Sequence, residues 1–93
     1  MKLYVKRMIE EHKELRARIE KLDAYVYGPN ITMDSTDEVI NKAVQLKGMR
    51  IYYDALSARL FNAGIRFSDN EYAEVIDAIP EDTNDREEPS KQE

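Results

Sequence analysis

Six side chains on the first third of this chain are of the types that recognise a small anion. Tyr4, Arg18 and Tyr25 recur at multiples of seven, so on a helix they form one row, and Lys21 lies one turn from Arg18. Arg7 and the single histidine, His12, complete the group. A tyrosine ring stacks on a nucleobase, and a nearby guanidinium or ammonium pairs with phosphate. The ordinary alternative for each is structural: a rim tyrosine, a solvated base paired with Glu10, Glu11, Glu14 or Glu20, and a histidine that sets helix register or packs at a subunit contact.

Catalysis is not expected. There is no cysteine and no second histidine, so thiolate chemistry and the usual zinc sets are missing. No glycine-rich phosphate loop and no Gly-x-Ser-x-Gly elbow occurs. Ser35 and Ser68 each stand three residues before a glutamate and read as helix caps. No metal and no cofactor is expected, and no enzyme.

The elements that position these side chains follow from apolar spacing. Met1, Val5, Met8, His12, Leu15, Ile19, Leu22 and Val26 make one seam and predict a helix over about 2–26. Gly28-Pro29-Asn30 stops it, with Gly28 suited to a left-handed position. Ser35-Thr36-Asp37-Glu38 opens a second helix over about 36–63, ended by Gly64. That helix has two stripes. Val39, Leu46, Met49, Tyr53, Leu56, Leu60 and Ala63 form one, and Ile40, Ala43, Ile51, Ala55 and Ala58 the other; one stripe can meet the first helix, and the other needs a different partner. Tyr52 and Tyr53 therefore point to different surroundings. Ser68-Asp69-Asn70-Glu71 predicts a short third helix over 69–78, with Tyr72, Val75, Ile76 and Ile79 inward and Pro80 after it.

The expected fold class is all-α: a long antiparallel helical hairpin plus a short third helix, one domain over 1–79, with 80–93 a disordered acidic tail. So small a core, with a stripe left over, predicts a homo-oligomer.

The net charge of −5 is unevenly spread. Residues 80–93 hold six acids and two bases, whereas the first helix holds seven bases and five acids. Duplex nucleic acid is not an expected partner, because the domain is near neutral. A small, doubly charged ligand suits it better. No stretch approaches the ~18 apolar residues of a membrane span. The N-terminus lacks a signal-peptide core, so a soluble intracellular protein is expected.

Helix one reads Arg7-Met8-x-x-Glu11-x-x-Glu14-Leu15-x-x-Arg18-Ile19-x-Lys21-Leu22. Helix two reads Gln45-Leu46-x-x-Met49-x-x-Tyr52-x-x-x-Leu56-x-x-Arg59-Leu60. Over about residues 4–62 this resembles a family of small tailed-phage proteins whose characterised members are anti-CBASS cyclic-nucleotide sponges. The resemblance implies a homohexamer in the cytoplasm of the infected bacterial host. It implies that cyclic dinucleotides such as cyclic GMP–AMP, and in some members cyclic trinucleotides, are held uncleaved between protomers. An aromatic and a lysine of the first helix hold the ligand in that family. Here Lys21 matches the lysine, and Tyr4 is the best-placed aromatic, with Arg7 or Arg18 assisting. The alternative is a helical oligomeric adaptor with no small ligand.

Overall fold

The computed structural model describes residues 1–75. Helix α1 spans Leu3–Val26, a 3-10 helix Pro29–Met33, and helix α2 Thr36–Asn62; strands β1, Ile65–Ser68, and β2, Glu71–Glu74, follow. The two long helices fall where their apolar seams predict them.

The Ser35 hydroxyl accepts from the Glu38 N–H at 3.2 Å, capping α2 as its sequence requires. At the other end Gly64 takes φ 84 and its N–H bonds the Phe61 carbonyl at 3.0 Å. Gly28 works differently from the expectation. Its φ is −102, not left-handed, and glycine is required there because a Cβ would sit 2.5 Å from the Ala24 carbonyl oxygen.

The helices are antiparallel. Going forward along α1, its contacts move back along α2, from Tyr4 beside Arg59 and Asn62, through His12 at Ser57, to Asp23 paired with Arg50. The core between them is Val5, Met8, Ile9 and Leu15 against Leu56, Leu60 and Ile65, with Ile19, Met49 and Tyr53 packed beside it. Burying each such side chain stabilises the fold by about 1.5–3 kcal/mol.

The third helix is a correction. Residues 65–74 form an antiparallel β-hairpin with Phe67 opposite Tyr72 and Ser68 opposite Glu71. The fold is thus mostly helical with a small two-stranded sheet, not all-α. Asp69 takes φ 55 at the two-residue turn, a conformation that aspartate tolerates better than most residues. Ser68 and Glu71, which look like a cap, are the paired residues that close this turn. The hairpin lies along the helices: Arg16 of α1 donates to the Asp69 carbonyl at its tip, and the Val75 N–H bonds the Gly64 carbonyl at its base, 2.7 Å. The last residues of the expected helix, 76–78, and the tail 80–93 lie outside the described residues.

Among the described residues nothing covers the second stripe of α2. Ile40, Ala43, Ile51, Ala55 and Ala58 are all exposed, and Val44 (64%) and Ile51 (62%) are more open than apolar side chains in a closed domain normally are. No helix of the described residues is long and apolar enough to cross a membrane.

Candidate functional site

His12 is fully buried within the chain. Its ring stacks on Tyr53 with centroids 4.3 Å apart and lies 4.5 Å from the Phe67 ring. The two ring nitrogens meet hydroxyls from opposite sides, Nδ1 at 2.6 Å from Tyr72 and Nε2 at 2.8 Å from Ser57. A neutral imidazole has one donor and one acceptor nitrogen, and each hydroxyl rotates to suit. Burial, helped by Arg16, lowers its pKa below the ordinary 6.5. The chain hydroxyl–imidazole–hydroxyl resembles a nucleophile with its base, but it lies in the core. It ties α1, α2 and the hairpin together. His12 is thus neither a ligand contact nor a subunit contact.

The heptad row is divided by the structure. Tyr25 is committed to the fold: its hydroxyl donates to Asp34 at 3.0 Å, and the Lys42 ammonium sits 4.1 Å from its ring centroid while bonding Asp34 at 2.7 Å. The Lys42 bond holds the Asp34 carboxyl below its ordinary pKa and raises that of Lys42. Arg18 is exposed and pairs loosely with Glu14, 3.9 Å away. Lys21 and Arg7 are exposed, and neither makes an ion pair with a described residue.

Tyr4 lines a cleft. With Met8 of α1 and Arg59, Asn62 and Ala63 at the end of α2, it borders a shallow, open depression of about 240 Å³. Tyr4 is half-exposed (48%), and Arg59 is exposed with no ion pair to a described residue. An aromatic face, an exposed guanidinium and a carboxamide therefore border one depression, with Arg7 one helical turn beyond Tyr4. Arg59 and Asn62 are the residues that sequence reasoning missed. Arg59 stood in the helix-two motif, and pairing the start of α1 with the end of an antiparallel α2 would have placed it beside Tyr4.

Tyr4 and Lys21 do not meet. Seventeen residues of helix separate them by about 25 Å. Tyr4 with Arg7 marks one end of the molecule, and Arg18 with Lys21 the other. Among the described residues no three of His, Asp and Glu come together as a metal site.

A family model, Sequestin, matches residues 2–62, about two thirds of the chain. The chain belongs to the Sequestin family. That name fits the cyclic-nucleotide sponges that the two helix motifs resemble, and it suggests a binding protein that sequesters a small molecule. The Sequestin match covers α1, the connection and α2, and stops before the β-hairpin. No curated protein and no solved structure matches this Sequestin chain.

Proposed function

We propose that this protein binds cyclic oligonucleotide second messengers, cyclic dinucleotides such as cyclic GMP–AMP and also cyclic trinucleotides, and withholds them from the host's CBASS effectors without cleaving them. Its place of action on this reading is the cytoplasm of the infected bacterium. Membership of the Sequestin family carries the reading.

The geometry supports a site shared between copies. The Tyr4 cleft, at about 240 Å³, is smaller than the ~300–1,000 Å³ of ordinary ligand pockets. Tyr4 and Lys21 are farther apart than a cyclic dinucleotide is long. Both facts are resolved if a second copy completes the pocket, one copy offering Tyr4, Arg7 and Arg59, the other Arg18 and Lys21. The uncovered stripe of α2 supplies an assembly surface, and a homohexamer is the proposed state. In the pocket the tyrosine stacks a base and the cations pair with phosphate, while the second copy excludes water and slows release.

The uncovered stripe also suits an adaptor with no small ligand. One experiment separates the two. The protein is incubated with limiting cyclic GMP–AMP, filtered, and then denatured. A sponge lowers the free nucleotide and returns all of it intact. Nucleotide that stays in the filtrate supports the adaptor; linear products would show an enzyme.

A further inference from the structure

The glycine in the middle of α2 has no explanation within its own chain. Gly48 lies in a helix interior, where only proline is less favourable than glycine. Its φ is not positive, so the backbone does not require glycine. At Gly28 a Cβ would strike the Ala24 carbonyl, but at Gly48 an added Cβ meets nothing of the described residues within 4 Å. What a glycine on an open helix face permits is the close approach of another backbone.

The residues around Gly48 are balanced along the sequence. Val44 and Tyr52 stand four residues to either side, Asn41 and Ala55 seven, Asp37 and Arg59 eleven. These steps are about one, two and three helical turns, so all six share the face of Gly48. All six are exposed, and they lie on a different side of α2 from Met49, Tyr53 and Leu60, which belong to the core against α1. The two ends of the face carry opposite charges. Asp37 is in the first turn and Arg59 in the last, and neither makes an ion pair with a described residue.

Such a face is complementary to itself when reversed. About a two-fold axis at Gly48, each residue meets the one equally far on the other side: Gly48 on Gly48, Val44 on Tyr52, Asn41 on Ala55, Asp37 on Arg59. Parallel pairing sets Asp37 against Asp37 and Arg59 against Arg59, which repel. Helix axes pack about 8–10 Å apart, and glycine at the crossing favours the shorter distance. A shallow crossing of about 20° keeps the helices together as far as both charged ends.

We propose that α2 packs antiparallel on α2 of a second copy, with Gly48 at the crossing and Asp37 of each copy paired with Arg59 of the other. The occupant of the open face is a second copy because the charges and the large and small residues of that face match their own reverse order. The contact deepens the assembly reading above by naming the surface, and its consequence for the ligand site rests on that reading. Arg59 borders the Tyr4 depression, and a guanidinium has five N–H groups, enough to serve Asp37 of the second copy and a phosphate together. The second copy then holds Arg59 in position at the site. A hexamer built from three such pairs needs another kind of contact as well, and the pocket between Tyr4 and Lys21 belongs to that one.

The test is sedimentation of the full chain without nucleotide, so sequestration plays no part in it. Gly48→Leu favours the helix within one chain but blocks the crossing. Its self-association should weaken at least 100-fold, with helix content retained. At low salt Asp37→Arg and Arg59→Asp should each weaken association about tenfold, and both changes in one chain should restore it, because the ion pair forms again with its charges exchanged. Association unchanged by Gly48→Leu, or a double variant no better than either single one, overturns the proposal. So does a wild-type chain that sediments as a monomer. Nucleotide capture is scored separately by filtration: a chain that pairs in this way yet leaves cyclic GMP–AMP in the filtrate upholds the contact and fails only the sponge.

Discussion

His12 shows how one buried side chain couples stability to pH. Its folded pKa is depressed, so below the ordinary 6.5 the unfolded chain takes up a proton that the folded chain refuses. Stability is complete above that value and falls as pH drops through the window beneath it. Asp34 adds a second, more acidic loss: its depressed pKa contributes stability above 3.8 that disappears as the carboxyl is protonated in the fold. His12→Ala should cost about 2–4 kcal/mol in denaturant unfolding, from the cavity and from two hydroxyls left without their partner. It should also flatten the fall in stability as pH drops below 6.5; an unchanged slope there would show that another group titrates. Tyr4→Ala, at a half-exposed position, should weaken cyclic GMP–AMP binding by about 10–100-fold, the usual worth of one base–aromatic stack, without lowering the melting temperature. The heptad row made the face shared by Tyr4, Arg18 and Tyr25 legible in the sequence. It could not show that Asp34 and Lys42, in a different element, claim Tyr25.

At the scale of elements, two identical-looking signals had opposite outcomes. Ser35-x-x-Glu38 and Ser68-x-x-Glu71 both match a capping box. The first is followed by helical spacing over seven turns and caps α2. The second is preceded by Ile65 and Phe67 at period two and followed by Tyr72, and it closes a hairpin. A cap is a local preference worth about 1 kcal/mol, and the apolar period on either side of it decides the element. The Asp69-Asn70 pair was the available turn signal. The helices themselves, being long and strongly periodic, were readable to within a residue. Tyr72→Phe should loosen the hairpin by about 1–2 kcal/mol, because the imidazole nitrogen facing its hydroxyl is left unpaired in the core. Hydrogen exchange should then accelerate at 65–74 and leave α1 and α2 unchanged; uniform acceleration would mean that the hairpin is not a separate unit.

At the scale of the whole molecule, the account depends on assembly. The sequence already separated the two stripes of α2, and the structure leaves Ile40, Val44 and Ile51 facing outward. The split of the candidate cations between the two ends of α1 was legible from spacing and helix rise; what needed the antiparallel packing was the placing of Arg59 beside Tyr4. Ile51→Asp, in the middle of the open stripe, should convert the proposed oligomer to smaller species in sedimentation, with helix content retained and nucleotide binding lost. Binding that survives in a monomer would place the whole site within one chain. The most direct test is titration calorimetry of the full chain with cyclic GMP–AMP. The account predicts tight binding with fewer ligands than protomers, because each pocket needs two copies. One ligand per chain would contradict the shared pocket, and no heat with any cyclic di- or trinucleotide would contradict the sponge.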